Sequence, residues 1–233
     1  MSFSYPIELY YDGVDIKNNN GPLIKGFTTN ISFLKQAGIT DYDKFIKESL
    51  LYTNKRPVSF QLYDDDDTSI ETTAKKIQSY DDSIFVKIPV IKTTGEYNNS
   101  IISKLHEENI QINVTAIFTK EQIDSLKNCF GKKTQVIISV FGGRINDSGI
   151  DCTDVVKHAV DTFKDFKNVK ILWAACRTIY NIIEANHHGS HIVTAPDSVL
   201  SRLYRLNQTP HDASIETVKT FRKDGINGSI QFP

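Results

Sequence analysis

Ile84-Phe85-Val86-Lys87-Ile88-Pro89-Val90 is a short apolar run with a lysine at its centre. Its length and its β-branched and aromatic content predict a strand buried on both faces, as in parallel sheets. An ammonium in such a run loses its hydration, so it tends to give up its proton and become an amine nucleophile near neutral pH. That is the starting condition for Schiff-base chemistry on a carbonyl compound. The bland alternative is an edge strand whose lysine snorkels to water, and the run alone fits both.

Outward from this run, seven more segments of the same kind occur, at Ile7–Asp12, Leu23–Asn30, Val58–Tyr63, Ile112–Phe118, Gln135–Phe141, Lys170–Cys176 and His191–Pro196. Segments of helical period lie between them. In Asp154–Phe166, the clearest, Val155, Val156, Ala159, Val160, Phe163 and Phe166 recur at three-to-four spacing. Thr119-Lys120-Glu121-Gln122 has the form of a capped helix start, and Gly189 that of a helix stop. Eight strands, each followed by a helix, with no linker-like stretch, predict an α/β fold, a (β/α)8 TIM barrel forming a single domain over residues 1–233. A doubly wound open sheet would need a glycine-rich first turn, but the first strand ends in Asp12-Gly13-Val14-Asp15, and neither dinucleotide nor P-loop glycine patterns occur. A surplus C-terminal helix, Ala213–Arg222, is expected to pack across the barrel or onto a neighbouring subunit of a homo-oligomer.

Composition narrows the function classes. The 233 residues carry 39% hydrophobic side chains and a formal charge of −1, so there is no electrostatic footprint for nucleic acid or an acidic membrane. Cys129, Cys152 and Cys176 are too few and too scattered for a disulfide framework or a structural zinc site, which fits a reducing compartment. Met1-Ser2-Phe3-Ser4-Tyr5-Pro6 has no basic start and no sustained apolar run, and no segment has the length of a membrane span. The expectation is a cytoplasmic protein. Asp64-Asp65-Asp66-Asp67 is read as a solvated turn entering a helix N-cap rather than a metal site, because no second carboxylate cluster accompanies it. His187, His188 and His191 flank Gly189, which breaks the spacing a metal pair needs, so they are read as a solvated helix C-terminus.

In a barrel of this kind, catalytic groups gather at the C-terminal ends of the strands. Polar residues do so here. Asp12 ends the first strand, Thr28-Thr29-Asn30 the second and Gln61 the third, while Lys87 lies in the fourth and Asn113 and Thr115 in the fifth. Ser139 and Arg144 bracket the end of the sixth, and Cys176-Arg177-Thr178 close the seventh.

These residues carry a resemblance. Glu8-Leu9-Tyr10-Tyr11-Asp12, Gly26-Phe27-Thr28-Thr29-Asn30, Val86-Lys87-Ile88-Pro89-Val90, Asn113-Val114-Thr115-Ala116-Ile117-Phe118 and Gly143-Arg144-Ile145 resemble, in order, the strand motifs of the transaldolase and fructose-6-phosphate aldolase family. The likeness extends over nearly the whole chain, and the short length is similar to the compact branch of that family. It implies a class I aldolase mechanism with Lys87 as the Schiff-base residue, acting on phosphorylated ketose and aldose substrates of carbohydrate metabolism such as those of the pentose phosphate pathway, with no cofactor and no metal. It also implies roles for the neighbours. Asp12 would move protons at the cleaving hydroxyl, Thr29, Asn30 and Asn113 would belong to the substrate-binding set, and Gln61 and Thr115 would position a relay water. Ser139 would sit near the dihydroxyacetone end, and Phe141 would belong to the substrate-binding set. Arg144, with exposed backbone N–H groups after Gly142-Gly143, and Arg177 would receive phosphate.

The sequence departs from the family pattern in three places. Ile31 replaces a proline after Thr-Thr-Asn. The relay position is Gln61, as in the fructose-6-phosphate aldolases, yet the sixth-strand position is Phe141, as in transaldolases, so the relay has no ionisable member. Ala175-Cys176-Arg177-Thr178 is one residue shorter than expected, with Cys176 near the usual serine, where it reads as an apolar filler rather than a nucleophile. Transfer of a dihydroxyacetone unit, retro-aldol cleavage, a specialised aldol reaction and a non-catalytic binding barrel all remain open at this point.

Overall fold

The computed structural model describes residues 5–228, so Met1–Ser4 of the N-terminal stretch read above lie outside it. Parallel strands close into a barrel in chain order: β1 (Glu8–Asp12), β2 (Ile24–Thr28), β3 (Val58–Gln61), β4 (Ile84–Pro89), β5 (Ile112–Ile117), β6 (Val136–Val140), β7 (Val169–Trp173) and β8 (Ile192–Ala195), with β8 returning to β1. Around them run α1 (Ile31–Gln36), α2 (Tyr42–Thr53), α3 (Asp67–Gln78), α4 (Asn99–Glu107), α5 (Lys120–Ser125), α6 (Gly142–Asp147), α7 (Thr153–Phe163), α8 (Ile179–His187), α9 (Asp197–Leu200) and α10 (Pro210–Asn227). The expected (β/α)8 barrel is therefore the fold, and the expected extra C-terminal helix is present.

Strict alternation of strand and helix fails at one step. No helix separates β1 from β2, whereas β2 and β6 are each followed by two. The cause is local chemistry: Asp15 through Pro22 contains three consecutive asparagines, a glycine and a proline, and Asp15 binds the side chain of Asn18 instead of starting a helix.

Alternation along each strand creates two separate apolar layers. One face packs outward under the helices, where Phe27, Phe60, Val86, Ile88, Val114, Ile138, Ile171 and Trp173 join a single continuous cluster. The other face points into the bore, where Tyr10, Phe85, Ile137, Leu172 and Ile192 form a distinct plug. Burying each such side chain contributes roughly 1.5–3 kcal/mol. Tyr10 sits opposite Gly26 on β2, and a Cβ at Gly26 would come within 2.4 Å of the Tyr10 ring, so the glycine makes room for the largest member of the plug.

Helix starts follow their caps. Asp66 accepts from Ser69 N at 2.9 Å, so the acidic run does enter a helix N-terminus, and Thr119 and Thr178 form full capping boxes with Gln122 and Asn181. α7 starts one residue before the expected segment and stops at Phe163, with Phe166 packing from the turn beyond. Gly189, at φ +82, ends α8 as expected.

Two expectations need correction. α10 is longer than Ala213–Arg222 because Thr209 caps it with Pro210 at its first position. It does not pack across its own barrel: none of its residues is buried, and Ile215, Val218, Phe221 and Ile226 are exposed. The histidines are not a uniformly solvated helix end. His187 and His191 are exposed, but His188 is half-buried beside Trp173 with Nε2 3.1 Å from the Thr153 hydroxyl, and His191 Nδ1 accepts from Ile171 N at 3.0 Å. Burial, chiefly, pushes both of these imidazoles below the ordinary histidine range.

Candidate active site

Two residues above the apolar plug, the same inward face turns polar. Strand register pairs Gln61 with Lys87, Lys87 with Asn113 and Asp12 with Thr28. These groups share one level at the C-terminal end of the bore, under a cavity of about 360 Å³. Its lining includes Asp12, Thr28, Gln61, Lys87, Thr115, Ser139 and Thr194 from the strands, and Ile31, Ser32, Phe33 and Gln36 from α1 with the capping Asn30. Phe141, Arg144, Ala174, Ala175 and Arg177 complete the wall on the side of β6 and β7.

Lys87 is 5% exposed, and its amine donates to the Thr29 carbonyl at 3.1 Å. No carboxylate lies within ion-pair distance of it among the described residues. Burial pulls its pKa below the ordinary lysine range, the Arg144 charge adds to that, and Asp12 opposes it. Asp12 is pushed the other way: burial raises its carboxyl above the ordinary range, while Lys87, the Thr28 hydroxyl, Arg177 and Arg144 hold it down. Both groups are thus drawn toward their neutral forms, which suits an amine nucleophile and a proton-shuttling acid.

Beneath the cavity, Ser139 donates to the Asn113 amide oxygen at 2.7 Å, and Asn113 donates to Ser59 Oγ at 2.9 Å. This chain locks three inward polar groups on β3, β5 and β6. Thr115 differs: its hydroxyl is buried, lines the cavity and has no protein partner among the described residues. It precedes Ala116, which adopts φ +58 where the β5–β6 register slips. Ala175, at φ +60, is strained in the same sense at the end of β7. Such conformations cost on the order of 1–3 kcal/mol each and concentrate where structure serves chemistry.

The loops after β6 and β7 are pressed together. A Cβ at Gly143 would come within 1.7 Å of the Ala175 carbonyl oxygen, so only glycine permits this approach. The result brings Arg144 and Arg177 to the same rim. Arg144 is exposed, with its guanidinium 5.3 Å from the Phe141 ring centre and no ion-pair partner among the described residues. Arg177 donates from Nε and Nη2 to Asp147 Oδ2 at 3.0 and 2.8 Å. One carboxylate at the floor with two guanidinium groups at the rim is a donor set for an anionic organic molecule rather than a metal ion.

Residues 10–229 match the Transaldolase/Fructose-6-phosphate aldolase family. The chain belongs to this family. It is 29% identical over 206 residues to a probable transaldolase of Thermoanaerobacter sp. (strain X514), covering 88% of this chain and 90% of that one. A probable transaldolase of Streptococcus agalactiae serotype V is 28% identical over 225 residues, covering 94% and 97%. Among solved structures, 3-hexulose-6-phosphate synthase from Salmonella typhimurium superposes with a TM-score of 0.58 at 11% identity, over 84% of this chain and 92% of that one, a likeness of fold alone.

The family motifs thus converge on one cavity, but not every residue singled out in the sequence lines it. Asp12, Asn30, Gln61, Lys87, Thr115, Ser139, Phe141, Arg144 and Arg177 do. Thr29 contributes its carbonyl to Lys87 while its hydroxyl binds the Ser59 carbonyl, and Asn113 lies below the floor. Cys176 is buried with its thiol toward the Thr178 carbonyl, and burial pushes its pKa up to about 12. Asn30 also caps α1, accepting from Phe33 N at 2.9 Å, which leaves its amide N–H₂ and one lone pair of Oδ1 for a ligand. The N–H groups after Gly142 are not free, since Gly143 N binds the Ala174 carbonyl and Arg144 N the Phe141 carbonyl. A phosphate at this rim would therefore not be received by the Gly143 or Arg144 N–H. Sequence reading missed Thr194, which the alternation from Ile192 would have placed inward, and the α1 residues, which no periodicity identifies.

Proposed function

We propose that this chain is a Schiff-base enzyme that transfers a dihydroxyacetone unit between sugar phosphates. The observation that carries this reading is the Lys87 amine, buried at the cavity floor, unpaired with any carboxylate among the described residues and depressed in pKa beside Asp12. The amine adds to the ketone carbon of the donor, and loss of water gives an iminium. Asp12 then takes the proton from the hydroxyl on the carbon beyond the adjacent one. The bond between those two carbons breaks, the aldehyde leaves, and the electron pair enters the iminium to give an enamine. In transfer, the enamine carbon attacks an acceptor aldehyde, whose oxygen collects the proton from Asp12. Water returns to the iminium and frees Lys87.

Asn30 and Ser139 are assigned to the substrate hydroxyls, Gln61 and Thr115 to the relay water, and Arg144 with Arg177 to the phosphate. Transfer is favoured over release because Phe141 and the amide of Gln61 put no acid at the relay position, which leaves the proton on Asp12 for the acceptor oxygen. Incubation with fructose 6-phosphate and borohydride should fix a sugar-derived mass on Lys87, and addition of erythrose 4-phosphate should yield sedoheptulose 7-phosphate. Label without transfer would make the chain an aldolase. A folded protein that no ketose labels would be a binding barrel. The exposed apolar face of α10 supports a homo-oligomer as part of the same reading, and light scattering on the full chain tests it.

A further inference from the structure

Asp12 lies at the end of a directed line of hydroxyls. Thr28 Oγ1 donates to Asp12 Oδ1 at 2.7 Å, and Thr194 Oγ1 lies 2.6 Å from Thr28 Oγ1. An ionised carboxylate only accepts, and the single hydroxyl hydrogen of Thr28 is committed to it. In the ionised state of Asp12, Thr194 is therefore the donor to Thr28. The line starts on β8, passes to β2 and ends on β1, which lies between them, so each neighbour of the Asp12 strand contributes one hydroxyl to a line that ends on Asp12 Oδ1. Thr28 and Thr194 are 1% and 2% exposed, so these contacts are largely shielded from bulk solvent. A hydroxyl that accepts a hydrogen bond becomes a stronger donor, and the effect is larger where the dielectric is low.

We propose that Thr194 is a positioning residue that acts through Thr28 to keep Asp12 ionised for proton abstraction, an inference that rests on the Schiff-base reading above. The other groups facing Asp12 are Lys87 from β4, Arg144 from α6, Arg177 and the Cys176 thiol after β7, and Tyr11 beside it on β1. Burial is the main force raising the carboxyl, and the Thr28 hydrogen bond is among the forces that lower it. Weakening the bond therefore moves Asp12 toward its protonated, inactive form.

The test compares Thr194→Val, which keeps the branched shape and removes the hydroxyl, with Thr194→Ser, which restores it. Ketose cleavage is followed against pH, and the Asp12 carboxyl is titrated by carbon NMR in the free protein. Thr194→Val is expected to lower kcat roughly three- to ten-fold on the acid side, with the acid limb moved to higher pH. KM should change less than twofold, borohydride labelling of Lys87 should persist, and Thr194→Ser should restore the limb. The carboxyl titration should move upward in step. A loss of rate uniform across pH, an unmoved titration, or failure of Thr194→Ser to restore the profile overturns the inference. Should Thr194→Val not fold, Thr194→Ala gives the same two readouts. The wild-type label separates the two claims: without it the Schiff-base reading fails, whereas with it and an unmoved titration only the role of Thr194 fails.

Discussion

The two ends of the bore are built from the same strands and differ in kind. Tyr10, Phe85, Ile137 and Ile192 fill the lower layer, and two residues further along each strand stand Asp12, Lys87, Ser139 and Thr194. Two residues advance a strand by about 6.6 Å, one step of the inward face. Below, side chains meet apolar neighbours, and the charged rim beneath them is closed by the pair Lys170–Glu8 at 2.5 Å. Above, a buried amine and a part-buried carboxylate have no direct ion pair among the described residues, and two alanines hold left-handed backbone. The lower layer supplies stability, and the upper one holds the strained backbone and buried polar groups on which the proposed chemistry rests.

The largest expected effect separates these layers directly. Lys87→Met keeps the length of the stem and removes the nitrogen, so it should abolish the borohydride adduct and lower turnover by at least about 10³-fold. Thermal unfolding should stay cooperative. The pH dependence of stability gives a second readout with a definite sign. Lys87 has a folded-state pKa below its ordinary value of 10.5, so at alkaline pH the unfolded chain binds more protons than the folded one. Stability from this group should therefore rise with pH from the depressed value up to the ordinary one, and Lys87→Met should lack that rise. An adduct that persists in the variant would remove Lys87 from the chemistry.

Next in size is Phe85→Ala, one inward position below. Emptying a buried aromatic site should cost about 3–5 kcal/mol of stability, read from denaturant melts. The folded fraction should keep its kcat within a few fold. A loss of turnover as deep as that of Lys87→Met at unchanged stability would dissolve the distinction between the layers.

This contrast also explains what was legible in the sequence. Strands buried on both faces leave unbroken apolar runs such as Val136-Ile137-Ile138, so every strand was found to within a few residues. Lys87 and Asp12 stood out because polar residues recur toward the same end of successive strands, although the run around Lys87 alone fits a snorkelling lysine as well. The contact of Gly143 with Ala175, the pairing of Arg177 with Asp147 and the direction of the Cys176 thiol were not, because each depends on where two loops meet. The missing helix between β1 and β2 and the extra residues of α10 were written locally, in an asparagine run and in Thr209-Pro210, but strand–helix alternation overrode them. His188 and His191 escaped for a different reason: their partners, Thr153 and Ile171, lie on other elements.

Gly143→Ala tests the upper rim with a smaller effect. The added methyl meets a backbone carbonyl that cannot rotate away, so about 1–3 kcal/mol of stability should be lost as the β6 and β7 loops part. Because Arg144 and Arg177 ride on those loops, KM for a phosphorylated ketose should rise while Lys87 still labels with dihydroxyacetone, which carries no phosphate. Equal loss for both ligands would mean that the damage reaches the floor.

Asp147→Asn has the smallest expected effect and the most informative sign. Asp147 occupies two donors of Arg177 at the rim, where both side chains are about half exposed, 51% and 53%. An incoming phosphate dianion must compete with that carboxylate for the same guanidinium. Removing the charge frees the donors and makes the rim more positive, so KM for a phosphorylated ketose should fall by up to about fivefold, the range of an exposed ion pair, with kcat unchanged. The gain should shrink when ionic strength is raised toward 1 M, where screening shortens to about 3 Å. A rise in KM would reverse the assignment: Asp147 would then orient Arg177 for phosphate rather than compete with it, and the fixed geometry of the guanidinium would matter more than its free charge.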